Sequence, residues 1–229
     1  LCEGTISGVG RVWADGEEID PADLGMRVYP GDEAQLPDPC LAAHLGEEAP
    51  AFRGIAYVVV ERLNLERWGN RVPLLTFEVT RTVPGGTGLA QTVEAVALIP
   101  GTGEYTLATT PLGVDLGLGE TRMVNRNTAS DESDLAASLK SLAIELPRVR
   151  SVSLVVSWFG DDLRCGDCTI RPKVENDSDA RGMAWRAGGI ARPAALQVPR
   201  VDGRSVYGGT PADASVVEAI RALTARGMK

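Results

Sequence analysis

Four cysteines, Cys2, Cys40, Cys165 and Cys168, carry the sharpest chemistry in this chain. Cys165-Gly166-Asp167-Cys168 sets two sulfurs three positions apart, a spacing that lets both face one metal ion. Adding Cys2 and Cys40 gives the four thiolates that a closed zinc or iron–sulfur site uses. The sequence lacks a second CxxC, and the competing reading is a turn with two small, half-buried thiols. A thioredoxin-type dithiol opens a helix, whereas this motif precedes the strand-like Thr169–Val174. The expectation is therefore no cofactor, with zinc or an iron–sulfur cluster on Cys165, Cys168, Cys2 and Cys40 as the alternative.

Other residues offer less. His44 is the only histidine, so a Ser–His–Asp or Cys–His centre has to use it. It lies in a loop-like stretch without an elbow motif. Asp161-Asp162 follows Trp158-Phe159-Gly160. Adjacent carboxylates point apart, while glycoside hydrolysis needs two carboxyls facing each other across a sugar. A turn after a strand explains Gly-Asp-Asp more simply. Gly85-Gly86-Thr87-Gly88 before an apolar run invites a phosphate loop, but the Lys-Ser/Thr of that motif is missing. Trp13, Trp68, Trp158 and Trp185 are expected as core anchors or interface residues. No catalytic residue is assigned.

The elements that must position these residues are legible from periodicity. Val12-Trp13 and Glu18-Ile19 flank Ala14-Asp15-Gly16-Glu17, which predicts a hairpin over Val9–Ile19. Strands are predicted at Met26–Tyr29, Ala56–Leu63, Val72–Arg81 and Val149–Phe159. Gln35–His44 reads as irregular because Pro37 and Pro39 interrupt it. Leu89, Val93, Val96 and Ala97 fall at helical spacing and predict a helix over Leu89–Ile99, ended by Pro100-Gly101. Leu135, Leu139, Leu142 and Leu146 predict a helix over Asp131–Leu146, capped by Thr128, Ser130 or Asp131 and stopped by Pro147. Thr210–Arg226 predicts a second amphipathic helix, with Thr210 as cap and Val216, Val217, Ile220 and Leu223 inward.

The chain has 229 residues, 44% of them apolar, enough for a real core. Its 26 Gly, 14 Pro and 5% aromatics indicate many turns and an α+β, β-rich build. The net charge of −8 repels phosphate and argues against sequence-independent nucleic-acid binding. Arg148, Arg150, Arg164 and Arg171 read as a solvated rim rather than a basic patch. No apolar stretch approaches the length of a membrane span. The opening Leu1-Cys2-Glu3-Gly4 and the closing helix-like run read as a segment of a longer polypeptide.

Word order goes further. Cys2-Glu3-Gly4-Thr5-Ile6-Ser7-Gly8, followed by Val12-Trp13-Ala14-Asp15-Gly16, resembles the opening signature of phage tail-tip hub proteins related to the lambda host-specificity protein. Arg27–Gly31, Gln35–Pro39, Phe52–Val59, Trp68–Val79, Ile99–Tyr105, Trp158–Cys165, Arg181–Trp185 and Tyr207–Asp213 are similar to the large tail-tip protein of gene transfer agents. The resemblance implies a hub-like α+β region over 1–175 and an extended connection over 176–209. It also implies the first helix of a glycoside-hydrolase-like TIM barrel over 210–229, so that hydrolase chemistry would lie downstream. It further implies a homotrimeric ring at the tip of a phage-like particle, assembled in the bacterial cytoplasm. Such a ring joins tail-tube, hub and receptor-binding proteins, touches the host envelope and surrounds DNA without specific binding. Alternatives are the accessory part of a cell-wall glycoside hydrolase and a small metal-stabilised module.

Overall fold

The computed structural model describes residues 1–81, 88–99, 101 and 103–229. They form an α+β, β-rich structure of about 22% helix and 29% strand. The chain divides into two compact units, Leu1–Thr92 with Ser141–Arg148, and Val93–Lys140 with Val149–Lys229.

In the first unit, β1 (Cys2–Glu3), β4 (Met26–Tyr29) and β5 (Ile55–Val60) form one antiparallel sheet in the order β1-β5-β4. A second antiparallel sheet runs β3-β2-β6, from β2 (Gly8–Ala14), β3 (Glu17–Ile19) and β6 (Leu75–Thr80). The β2–β3 hairpin turns where Ala14–Glu17 predicts it. Asp15 and Gly16 both take positive φ, 51° and 87°, the backbone a two-residue hairpin turn demands. Val12, Ala14, Ile19 and Leu24 form the buried core here, with Leu75, Phe77 and Trp68 packed against it. The strand predicted over Val72–Arg81 thus faces Leu75 and Phe77 inward.

The irregular segment expected over Gln35–His44 contains a helix, α1 (Pro39–Leu45). Asp38 accepts from the Cys40 amide at 2.8 Å, and Pro39 sits at the first helical position. Proline starts this helix, since its missing N–H is unpaired there anyway.

The expected helix over Leu89–Ile99 shrinks to α2 (Leu89–Thr92) and gives way to β7 (Ala95–Leu98). Ala95–Leu98 pairs in parallel with β10 (Ser151–Leu154). Partner strands override a weak helical pattern. Pro100, the expected stop, lies outside the described residues, as do Gly85, Gly86 and Thr87 of the glycine-rich run.

The second unit also holds the hairpin β8 (Gly113–Gly117) and β9 (Glu120–Met123). Next in the chain comes α3 (Asp134–Glu145), whose residues to Lys140 belong to the second unit and those from Ser141 to the first. Leu135 and Leu139 are buried as the stripe predicts. The cap is Ser133, whose Oγ accepts from the Ala136 amide at 3.2 Å, not Thr128, Ser130 or Asp131. The strand expected over Val149–Phe159 is shorter, because β10 stops at Leu154 and β11 (Phe159–Gly160) turns to pair with β12 (Ile170–Arg171).

Residues 173–205 contribute short pairs. These are β13 (Lys173–Val174) with β16 (Leu196–Gln197), β14 (Arg186–Ala187) with β15 (Ile190–Ala191), and β17 (Arg200–Val201) with β18 (Arg204–Ser205). They enclose a core of Tyr105, Ala108, Leu112, Val174, Met183, Trp185 and Ala212.

The chain ends in α4 (Asp213–Ala225). Its buried face is Ser215, Ala219 and Leu223, while Val217 and Ile220 are exposed. Of the residues expected inward, Leu223 is buried and Val216 half-buried, while Val217 and Ile220 face out because the small Ser215 and Ala219 form the close-packed surface. Thr210 does not cap α4; Ala212 holds that position without a side-chain bond. No helix among the described residues is long and apolar enough to cross a membrane.

Candidate functional site

The densest convergence of charge lies in the second unit, around Arg192 and Glu104. Arg192 starts a short 3-10 turn, Arg192–Ala194, held by Pro193. Its Nη1 and Nη2 donate to Glu104 Oε1 and Oε2 at 3.0 and 2.8 Å. Its Nε donates to Asp179 Oδ1 at 2.6 Å. The remaining donors go to the Asn176 carbonyl at 2.5 Å and the Tyr105 hydroxyl oxygen at 3.0 Å. Every guanidinium N–H is thereby used.

Glu104 is equally occupied. Its Oε1 also accepts from the Glu175 and Asn176 amides at 2.6 and 3.1 Å, and Oε2 accepts from Asn176 Nδ2 at 3.3 Å. Its own amide donates to Glu175 Oε1 at 3.0 Å. Trp185 lies beneath, with the guanidinium carbon 5.7 Å from its ring centre. The Trp185 indole N–H donates to the Thr210 carbonyl at 2.8 Å. Thr210 Oγ1 accepts from the Lys173 amide at 3.1 Å.

The electrostatics follow from burial and pairing. Burial works against the Arg192 charge, but the bonds to Glu104 and Asp179 outweigh it and lift its pKa above the ordinary arginine value. Burial likewise opposes charge on Asp179, and its bonds to Arg192 and the Trp185 amide win and hold its carboxyl low. Burial pushes the Tyr105 hydroxyl up. Glu175 is pushed up by burial too, and its carboxylate bonds an amide rather than a cation. A shallow cleft of about 220 Å³ opens beside it, lined by Glu104, Tyr105, Arg122, Met123, Glu175 and Asn176.

The first unit has a smaller counterpart. Asp38, buried, accepts from Arg27 Nε at 2.7 Å, Arg27 Nη2 at 3.0 Å, the Tyr29 hydroxyl at 2.6 Å and the Cys40 amide. Hydrogen bonding to Arg27 holds its carboxyl well below the usual range. Arg27 Nη1 also reaches Glu61 at 2.9 Å. Chemically, both clusters lock polar groups in place. Each carboxylate and guanidinium is spent on the backbone or on its neighbour.

The residues singled out from sequence are dispersed. Cys165 is exposed, Cys2, Cys40 and Cys168 are half-buried, and all four are free. Among the described residues no group of three or more His, Cys, Asp or Glu is arranged to hold a metal ion. His44 is exposed on the last turn of α1, its Nδ1 2.7 Å from the Cys40 carbonyl oxygen. Asp161 Oδ1 accepts from the Thr169 amide at 2.7 Å, and Asp162 takes a two-pronged bond from Arg164 at 3.0 and 2.7 Å. Gly160 still belongs to β11, Asp161 bends the chain away from it, and the turn itself comes later, at residues 165–167. Of the tryptophans, Trp185 is a core anchor and Trp158 is exposed.

Sequence reasoning missed Glu104, Asp179 and Arg192. A signal existed in Arg192, a lone charge between Ala191 and Pro193-Ala194-Ala195.

No family model matches the chain, and no curated protein matches it. A chain from the virion of a native gene transfer agent particle is similar in part. The identity is 59% over 45% of this chain and 25% of that chain, with a TM-score of 0.38. The matched part thus spans about a quarter of that chain's length. The likeness is one of sequence; at this TM-score the superposition adds nothing to it.

Proposed function

We propose that this chain is a structural component of a gene-transfer-agent-like or phage-like particle, located at the tail tip. The observation that carries the proposal is the 59% identity to a virion chain over 45% of this sequence. The saturated ion-pair clusters support it, since they stiffen a scaffold rather than expose reactive groups. In this reading three copies form a ring around the DNA exit channel and join the tail tube to hub and receptor-binding parts. The net charge of −8 suits a channel that does not grip its cargo.

An epitope-tagged copy tests the location. It is expected to co-purify with intact particles and to be labelled at the tail end farthest from the capsid. Label on the capsid, or particles without the chain, would sink the proposal. Light scattering on the chain tests the ring, with a trimer as the expected mass. A monomer at high concentration with no affinity for tail proteins removes the trimer.

A further inference from the structure

The Cys165–Cys168 motif is left over from the scaffold described above, and its surroundings are specific. The Asp167 and Cys168 amides both donate to the Arg164 carbonyl, each at 3.0 Å. Arg164–Cys168 is therefore one helical turn, which places residues 165 and 168 on the same face. Residues at the ends of such a turn have Cα atoms within about 7 Å, and a disulfide bridges about 4.4–6.8 Å.

The turn is held from both sides. Asp162 takes the Arg164 side chain and its amide, the latter at 2.8 Å. Asp161 takes the Thr169 amide, and the β11–β12 pair closes the base. Gly160 leaves room for the sulfur, since a Cβ there would stand 2.8 Å from Cys168 Sγ. Cys165 is open to solvent and Cys168 is half-buried. The other two cysteines lack such an arrangement. Cys40 lies 4.0 Å from His44 Nδ1 and Cys2 lies 3.8 Å from an Arg81 nitrogen.

We propose that Cys165 and Cys168 form an exchangeable dithiol, oxidised to an intra-turn disulfide by low-molecular-weight disulfides. The exposed Cys165 thiolate attacks one sulfur of the incoming disulfide. A mixed disulfide forms, and the first small thiolate leaves. The Cys168 thiolate then attacks Cys165 Sγ and expels the second. The two cysteine protons end on the two small thiols, so one disulfide is reduced as one is formed. Cys165 is the entry point and Cys168 the resolving thiol. The proposal stands independently of the particle reading.

The test is to incubate the purified chain with glutathione disulfide near the ordinary cysteine pKa of about 8.5, alkylate it and measure its mass. Two of the four thiols are expected to become unreactive, without a retained glutathione adduct, and dithiothreitol is expected to restore both. Peptide mapping is expected to show residues 165 and 168 joined within one chain. The double variant Cys2→Ser/Cys40→Ser should behave the same, and Cys168→Ser should instead retain glutathione on Cys165. Four thiols that stay reactive, a stable adduct on unmodified Cys165/Cys168 chain, or a bridge between chains would each overturn the proposal. So would stoichiometric zinc that co-purifies and blocks the loss, because the pair would then be a metal half-site.

Discussion

At the level of single residues, stability rests on charges that have no solvent to retreat to. Arg192→Leu strands the Glu104 carboxylate in a buried position. Removing one partner of a buried pair costs about 3–5 kcal/mol. Urea denaturation of the variant is expected to show that loss, and Glu104→Gln added to Arg192→Leu should recover part of it. Glu175 works in the opposite sense. Burial raises its folded-state pKa, so the folded chain holds that proton more tightly than the unfolded chain. Its contribution is complete below the unfolded value of about 4.3 and fades as pH rises through the raised value. Glu175→Gln keeps an acceptor for the Glu104 amide and removes the charge. Denaturation midpoints from pH 4 to 8 are expected to flatten on the high-pH side and to rise above those of the parent. Asp38 behaves conversely, because Arg27 lowers its pKa. Its stabilisation is present above the unfolded value of about 3.9 and drains away as pH falls.

Among the elements, what was legible in sequence depended on how local the cause was. The β2–β3 hairpin was readable because Asp15-Gly16 sets its turn without outside help. The Leu135/Leu139 stripe of α3 was readable for the same reason. β7 was not, because its partner β10 lies more than fifty residues on. The α4 face was legible only at Leu223, because close packing there otherwise uses Ser215 and Ala219, residues with little hydrophobic signal. The Arg192 cluster was hidden because Glu104, Asp179 and Arg192 are brought together by tertiary structure. Gly31 is the sharpest element-level test. It has φ 84°, and an added Cβ would meet the Gly4 carbonyl oxygen and the Ile55 carbonyl carbon, each at 2.7 Å. The strained dihedral alone costs about 1–3 kcal/mol, and the backbone clash adds to it. Gly31→Ala is expected to lower the melting temperature markedly and to speed amide exchange along β4 and β5, whereas Gly16→Ala, with open space around it, should cost only the dihedral strain.

For the molecule as a whole, charge is unevenly shared. Most of the excess acid belongs to the residues of the first unit, while the second is close to balanced. This asymmetry predicts weak interaction with nucleic acid. At about 0.15 M salt the chain is expected to leave the mobility of a short DNA duplex unchanged. A salt-dependent shift would place a basic surface where the particle reading needs none.

The bond between Arg192 and Glu104 joins residues 88 positions apart, which has a kinetic consequence. Loop-closure entropy makes so distant an encounter costly before the surrounding strands have formed. The pair should therefore assemble after the rate-limiting step and act as a latch on the finished structure. Its removal by Arg192→Leu should leave the refolding rate almost unchanged and appear nearly all in faster unfolding. For the particle component we propose, the time a fold persists matters as much as its depth.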